Sequence, residues 1–189
     1  MNKIYLKDFH RELLSQNEEI KITAHKFLDV ELSMLTRRPK PYKWSVMECF
    51  EHMNILYNVY IQNINTSINN SPGFKMDIDY FKPTRMGHYF YLSMVPNEKK
   101  KPRFKIKTFK RFKPNGKTTD HIMIFLSHHK NFIELINNIP DLDLNRIKVN
   151  SSLGRIMRFK LGDIFRIVTG HNQRHIIQAE NTLKRVQEA

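Results

Sequence analysis

Apolar residues recur along most of this chain at steps of three and four positions, which is the period of an amphipathic α-helix. A helix with that spacing buries its apolar face against neighbouring helices and turns its polar face to water. Four stretches carry the pattern, and together they predict an all-α protein, a four-helix bundle. The predicted helices run from about Leu6 to Leu35, from a cap at Ser45 through Ile64, from Thr119–Asp120 to Pro140, and from about Leu161 to Val186.

The second helix has the clearest starting signal. Ser45 is followed three residues later by Glu48, which forms a capping box: the hydroxyl accepts from a first-turn N–H and the carboxylate reaches back to the cap. Upstream, Pro39 and Pro41 end the first helix, because proline lacks the N–H that a helix requires. Trp44, just before the cap, is expected to lie against the end of the bundle.

Residues 65–119 interrupt the helical pattern with prolines and glycines. No long helix tolerates breakers at that density, so we predict a long irregular crossover between helices two and three. It is expected to contain short helical turns and strand-like pieces, such as the alternating residues 104–112, and to cover the mouth of a pocket. Residues 141–154 are predicted to form a polar link, and residues 1–189 to form a single domain.

Composition narrows the setting in which the protein works. The single cysteine, Cys49, excludes an internal disulfide and suits a reducing compartment. The first residues lack the apolar run of a signal peptide, and no stretch approaches about 18 uninterrupted apolar residues. These observations predict a cytoplasmic protein with no membrane partner. A homodimer is a fair expectation for a small bundle.

The chain is strongly basic, with a formal net charge of +14. Ten Lys or Arg residues and no acidic residue lie between Lys99 and Lys117. Such a balance favours an anionic partner, either nucleic acid or a charged small molecule. The stretch resembles no nucleic-acid motif, so a solvated basic loop is the preferred interpretation and nucleic-acid binding is a remote alternative.

His171 and His175 are the first candidates for chemistry. A spacing of four residues places both imidazoles on one face of a helix, one turn apart. Both fall on the apolar stripe of the fourth helix, so they are expected to point inward. Two buried imidazoles without partners would leave polar nitrogens unsatisfied, and one metal ion would satisfy both.

His52 is the best candidate for a third ligand. It lies about two turns into the second helix, on the side that is expected to face inward. His52 and His171 would meet readily if their two helices ran in the same direction, although depth alone leaves the connectivity open. The alternative is an ordinary core histidine bonded to a backbone carbonyl, and the spacing leaves both interpretations open.

Three neutral imidazoles would leave a metal with an open coordination position, as in catalytic centres. Such ligands suit a divalent transition metal such as Zn, Ni or Fe, and also copper. A bound water would lose its proton more easily, or an anionic substrate or thiolate could take its place. The residues between His171 and His175 include no Glu, so the zinc-protease pattern is absent.

Two motifs, taken together, resemble a known family. KWSVMECFEHM (Lys43–Met53) is followed far downstream by HNQRHIIQAENTL (His171–Leu183). This order is similar to that of the DinB-like superfamily, which includes YfiT-like metal-dependent hydrolases and bacillithiol- or mycothiol-dependent transferases. The resemblance implies a four-helix bundle over nearly the whole chain and a metal held by His52, His171 and His175. The matching positions are Trp44, Ser45, His52, His171, Arg174, His175 and Gln178.

Other residues near these motifs receive provisional roles. Gln178 and Glu48 are candidates to orient an imidazole by a hydrogen bond, although the capping box already accounts for Glu48. Arg174 is rotated by about 100° from the second histidine of the pair and is expected to be a structural ion-pair or hydrogen-bond residue rather than an anion ligand. Cys49 is expected to be a buried thiol rather than a fourth ligand, and His129 a packed core histidine.

The sequence therefore supports three hypotheses in descending order. The first is a metal-dependent hydrolase or low-molecular-weight-thiol S-transferase that acts on an anionic small molecule. The sequence offers no positioned general base, which weakens the hydrolase version, whereas a thiolate needs none. The second is a non-catalytic stress protein that binds a metal or small ligand. The third is nucleic-acid binding through the basic stretch.

Overall fold

Four long helices form the bundle within the part of the chain that the structure describes. The structure is a computed structural model, and it describes residues 2–71, 78–97, 108–116, 119–152 and 154–189. The long helices are α1 (Leu6–Lys26), α3 (Val46–Asn69), α5 (His121–Asn137) and α6 (Leu161–Gln187), and the shorter elements are β1 (Ile4–Tyr5), α2 (Leu32–Thr36), β2 (Tyr80–Phe81), α4 (Arg85–Met94), β3 (Lys148–Ser151) and β4 (Gly154–Lys160).

The bundle is closed by four pairs of neighbouring helices. α3 packs against α5 and α6, and α1 packs against the same two helices, so the core lies between all four. Phenylalanines fill much of it: the rings of Phe50 and Phe125 lie 5.2 Å apart and those of Phe132 and Phe165 lie 5.8 Å apart. The apolar stripes of α3 and α5 are those that the periodicity predicted, and the all-α bundle is confirmed.

Ring contacts also show the directions of the helices. Phe50 contacts Phe125 and, further along both helices, Tyr57 contacts Phe132, so α3 and α5 run parallel. A helix of 24 residues is about 36 Å long, so the chain must travel that distance back before it can begin α5. The long crossover between α3 and α5 makes this return.

The prediction of one helix from Leu6 to Leu35 is wrong. α1 ends at Lys26, a 3-10 turn covers Phe27–Asp29, and the short helix α2 follows. Leu28 and Leu32, which the apolar stripe placed in the core, are 43% and 48% exposed. Phe27, the residue directly after α1, packs edge-on against Phe50 with ring centroids 5.4 Å apart, so α1 ends where the chain makes this core contact.

The capping box at the start of α3 is confirmed. Ser45 Oγ accepts from the Glu48 N–H at 3.2 Å, and Glu48 Oε2 accepts from the Ser45 N–H at 2.9 Å. These reciprocal bonds satisfy N–H groups that the first turn of a helix leaves without partners. They fix the residue at which α3 begins, and therefore the depth at which the later side chains of this helix lie.

The polar link predicted over residues 141–154 is also wrong in part. Lys148–Ser151 pairs with Gly154–Lys160 as an antiparallel hairpin, with an irregularity between Asn150 and Ser151. Val149 and Phe159 are register partners and both are buried, which anchors the hairpin on the bundle. The alternation of apolar and polar residues in β3 covers only four residues, which is too few to predict a strand within a polar segment.

The crossover contains a helix of ten residues, α4, which is longer than the short turns predicted there. Thr84 caps it by accepting from the Gly87 N–H at 2.9 Å. Thr84 also donates its hydroxyl to Asp163 Oδ2 at 2.8 Å, which ties α4 to the start of α6. Among the described helices, none combines the length and the hydropathy required to cross a lipid bilayer.

Candidate metal centre

Three imidazoles converge inside the bundle. α3 contributes His52, and α6 contributes His171 and His175 from adjacent turns. One ring nitrogen from each side chain forms a group whose members all lie within 4.8 Å of one another. The ring centroids are 5.1, 4.6 and 4.4 Å apart, and the three residues are only 4%, 8% and 7% exposed. The structure thus brings together the three histidines that the sequence singled out.

The helices that carry these histidines run in opposite directions. Trp44, just before α3, has its carbonyl 3.5 Å from the hydroxyl of Thr182 near the end of α6, whereas His52 meets His171 further back along α6. The meeting therefore does not need the shared direction that equal depth suggested. His52 lies in the second turn of α3, whereas His171 lies nearer the middle of α6, and the two side chains meet where these helices pack together.

His52 is held by a hydrogen bond from its other nitrogen. Its Nδ1 lies 2.7 Å from the carbonyl oxygen of Phe112, which can only accept, so Nδ1 carries the proton. That tautomer leaves a lone pair on Nε2, which lies 3.1 Å from Nε2 of His171. The two interpretations of His52 are therefore compatible: its carbonyl bond orients the nitrogen that faces the cluster.

The electrostatics of the cluster keep the imidazoles neutral. Burial lowers the pKa of His52, His171 and His175, and in the last two the pKa falls well below the ordinary value. The neighbouring imidazoles and the charge of Arg174 lower the pKa of His171 and His175 further. Neutral imidazoles offer the lone pairs that a metal ion requires.

The chemistry of this donor set fits a metal ion. Nδ1 of His175 is buried and has no hydrogen-bond partner among the described residues. A lone pair of His52 also points at a nitrogen of His171 rather than at a donor from elsewhere. Buried polar groups in such proximity are costly unless a shared partner satisfies them. The three histidines can therefore hold a metal ion, and their assignment as its ligands stays a prediction.

A large cavity opens directly onto the cluster. Its volume is about 510 Å³, and the three imidazoles form one of its walls. The other described walls come from the residues before α3, from further residues of α3 and α6, from α4, from the hairpin β3–β4 and from the crossover at residues 108–112. The crossover thus lines a pocket, as the sequence suggested, and its residues Phe109 and Phe112 face the cavity.

Trp44 connects the cavity wall to the cluster. Its ring lies 4.9 Å from the ring of His52 and 6.0 Å from that of His175, and it is nearly parallel to the latter at 29°. Trp44 was expected to lie against the end of the bundle, and the structure shows that its ring packs on two of the three imidazoles. This packing limits the rotation of both rings and keeps water away from one side of them.

Glu51 is a residue that the sequence reasoning missed. Its two carboxylate oxygens each accept at 2.9 Å, one from the Asn115 N–H and the other from the Gly116 N–H. Gly116 adopts a φ of 68°, the left-handed conformation that favours glycine in such a turn. Glu51 thereby anchors the segment that carries the Phe112 carbonyl. The sequence shows only an acidic residue next to His52 in a largely apolar helix, which does not indicate these partners.

The structure gives different contacts to Glu48, Gln178 and Arg174, the three residues that were assigned roles beside the histidines. Both oxygens of Glu48 are engaged by the cap and by Arg38, so its contacts explain it without the imidazoles. Gln178 lines the cavity, and its polar contact with His175 opposes the lowering of the pKa of that imidazole. Arg174 donates to the Ser93 carbonyl at 3.1 Å, as expected of a hydrogen-bonding residue, but it also lines the cavity beside the imidazoles.

The remaining predictions concern core residues and the basic stretch. Cys49 is a buried free thiol whose pKa is raised by burial, and it is not part of the cluster. His129 is fully buried, as predicted. Residues 99–107 and 117 of the basic stretch lie outside the described residues. Within it, Arg111 is exposed and donates to the Ser152 carbonyl of the hairpin turn.

Comparison with known families connects this arrangement to other proteins. The family model of the DinB superfamily matches residues 24–179, a range that includes all three histidines and most of the bundle. The match agrees with the resemblance carried by the two sequence motifs. No curated protein and no solved structure gave a significant match to the chain.

Proposed function

Because the chain belongs to the DinB superfamily, we propose that it binds a divalent transition metal through His52, His171 and His175 and transfers a group to a low-molecular-weight thiol. The observation that carries the proposal is the convergence of three buried imidazole donors within 4.8 Å of one another. The carbonyl bond of His52 supports it, because the ligating histidines of metal sites commonly donate their other N–H to such a group.

The residues around the cluster suit a reactive centre that is shielded from bulk water. When bound, a divalent metal with three neutral ligands supplies Lewis-acid chemistry and lowers the pKa of a water or thiol that binds it. The chain's own contribution is to keep the imidazoles neutral by burial and to hold His52 through the Phe112 carbonyl. The packing of Trp44 on two of the rings adds rigidity.

Thiol transfer fits the cavity better than hydrolysis. No Asp or Glu is among the described residues that line it, so a carboxylate general base for water is missing there. A thiolate is already a nucleophile and does not need such a base. In the proposed reaction the thiol loses its proton to solvent, its sulfur bonds to an electrophilic carbon, and the leaving group departs with the former bonding pair.

The first experiment tests the metal. Protein purified without added metal is analysed for transition metals, alongside His171→Ala and the control His25→Ala, which changes an exposed histidine. The wild type and the control should contain about one metal equivalent per chain, or take it up on titration with Zn²⁺. His171→Ala should lose most of it, because two imidazoles bind far more weakly than three. Equal content in all three proteins would refute the site.

The second experiment tests the reaction. Metal-loaded protein is mixed with a bacillithiol-type thiol and a chromogenic aryl halide, and halide release is followed. Turnover that is lost in His171→Ala and in metal-free protein would support the transferase. No turnover together with no thiol binding by calorimetry would overturn it. Release of product from an ester in the absence of thiol would favour the hydrolase instead.

A further inference from the structure

The cavity beside the imidazoles is unusually apolar for a site expected to take charged molecules. Its walls include the aromatic rings of Trp44, Phe90 and Phe159 and the side chains of Leu56 and Ile167. At about 510 Å³ it falls within the range of pockets that enclose most of a small organic ligand. A short hydrophilic thiol alone would leave this apolar surface in contact with water, which is unfavourable.

The walls are also held in place. Phe90 of α4 packs edge-on against Phe159 of β4, with ring centroids 5.3 Å apart. The hydroxyl oxygen of Tyr60 on α3 lies 3.1 Å from the hydroxyl oxygen of Ser152 in the hairpin turn, and both residues line the cavity. Three separate elements therefore fix the aromatic surfaces relative to one another. A rigid aromatic wall favours flat or bulky apolar ligands that stack on it.

Among the described residues that line the cavity, the charged side chains are those of Lys43 and Arg174, and both are positive. Lys43 lies at the exposed end, and Arg174 is half-buried beside the cluster. Arg174 is near enough to lower the pKa of each of the three imidazoles. One of its N–H groups donates to the Ser93 carbonyl, which fixes the position of the guanidinium against α4. A guanidinium has five N–H donors in a planar fork, and one that lines an apolar cavity can bind an anionic group of a ligand through charge-assisted hydrogen bonds.

We infer that the second substrate of this site is a bulky apolar or aromatic molecule with one anionic group that Arg174 binds. The inference rests on the proposed function for the reaction, but the binding itself needs only the cavity and Arg174. The apolar part lies against Phe90 and Phe159, and the anionic group lies toward the imidazoles. The molecule thereby presents a reactive position next to the cluster.

The test uses two fluorescent probes of similar shape on the full chain, freed of metal by a chelator. Anilinonaphthalene sulfonate is an aromatic anion, and phenylnaphthylamine is its neutral counterpart. Wild type should bind the anion at least about tenfold more tightly than the neutral probe. Leu56→Trp, which fills the cavity, should weaken both. Equal affinities, or binding unchanged in Leu56→Trp, would overturn the inference.

Matched variants assign the preference to Arg174. Arg174→Gln should bind both probes about equally, whereas Arg174→Lys should keep part of the preference because it keeps the charge. Arg185→Gln removes an exposed positive charge from the same helix and should behave like wild type. A preference that persists in Arg174→Gln would contradict the assignment. Should that variant not fold, the preference must still fall in Arg174→Lys, which keeps the charge but loses the forked N–H donors of the guanidinium; an unchanged preference there would contradict the assignment.

The outcome is separable from that of the metal experiment. Probe binding in the metal-free protein together with no metal uptake would keep the cavity assignment and remove the proposed metal chemistry, which leaves a binding protein. Metal uptake without probe binding would keep the proposed function and overturn the ligand class. The two proposals therefore fail by different measurements.

Discussion

Two acidic residues of α3, Glu48 and Glu51, are buried and bind backbone N–H groups in different parts of the chain. Glu48 binds the N–H of Ser45 at the start of its own helix, and Glu51 binds two N–H groups of the turn at residues 115–116. The latter turn is linked through the crossover to the carbonyl that orients His52. At the scale of single residues, Glu51 is therefore a positioning residue for the cluster.

Replacing Glu51 by Gln tests this role. The amide keeps one acceptor but turns an N–H donor toward a backbone N–H, so we expect a loss of about 1–3 kcal/mol in the free energy of unfolding. If His52 is a metal ligand, the affinity for Zn²⁺ should also fall by about tenfold. Denaturant unfolding and competition with a chromogenic chelator measure the two effects.

Glu48→Gln is the matched control. It replaces a buried carboxylate of the same helix that accepts from the Ser45 N–H and from Arg38. It should lose stability but keep the Zn²⁺ affinity of the wild type. An equal loss of affinity in both variants would mean that Glu51 acts through general stability. A loss only in Glu48→Gln would restore Glu48 as the residue that orients an imidazole.

At the scale of elements, α4 builds part of the cavity wall and depends on a close approach to α6. Phe90 and Met94 of α4 line the cavity, and Arg166 of α6 lies over the ring of Tyr91, 3.8 Å from its centroid. The approach is closest at Gly87, where an added Cβ would lie 2.1 Å from Cγ of Asp163. Asp163 cannot move freely, because Thr84 binds it through both N–H and hydroxyl.

We expect Gly87→Ala to destabilise the protein by about 1–3 kcal/mol. In an exposed helix the same change would stabilise by about 1 kcal/mol, so the sign itself reports the clash with Asp163. Met86→Ala, at an exposed position one residue earlier, should have little effect. Thermal unfolding of the three proteins measures the difference. Stabilisation by Gly87→Ala would show that α4 does not pack this closely.

The elements also show how far the sequence could predict the structure. The helix periodicity of α3 and α5 and the capping box are local patterns, and the described structure bears them out. The meeting of His52 with His171 and His175 was expected from the resemblance of the two motifs to a family, because spacing alone left it open. The end of α1 coincides with the contact of Phe27 with Phe50, and the hairpin is anchored by the burial of Val149 and Phe159. The spacing of apolar residues along the chain predicts neither of these contacts. Glu51 bonds a turn 64 residues away, which no helix pattern could indicate.

At the scale of the whole molecule, one buried polar network joins all four long helices. Nε2 of His129 on α5 lies 2.8 Å from the backbone carbonyl oxygen of Asn17 on α1. Nδ1 of the same ring lies 2.6 Å from the hydroxyl oxygen of Tyr57 on α3. Asn17 donates in turn to the hydroxyl of Thr169 on α6 at 3.0 Å. Because the Asn17 carbonyl can only accept, Nε2 of His129 carries the proton and Nδ1 accepts from Tyr57.

This network makes stability depend on pH. Burial lowers the pKa of His129 from 6.5 to about 4, so the folded chain keeps it neutral where the unfolded chain would protonate it. The contribution of neutral His129 to the free energy of unfolding is fully present above pH 6.5. It is lost as the pH falls from 6.5 toward 4, and the total loss is about 3 kcal/mol. Free energies of unfolding across this range should therefore decline more steeply in wild type than in His129→Gln. Identical slopes would contradict this origin.

The two helices that supply the imidazoles are far apart in the order of synthesis, since His52 precedes His171 by 119 residues. A chain still being made on the ribosome, with α6 not yet emerged, offers one imidazole of the three. The cluster cannot be complete before α6 has emerged, and an ion that needs all three imidazoles must arrive after this helix has docked on α3. The donor set is thus complete only in a chain whose α6 has folded onto α3.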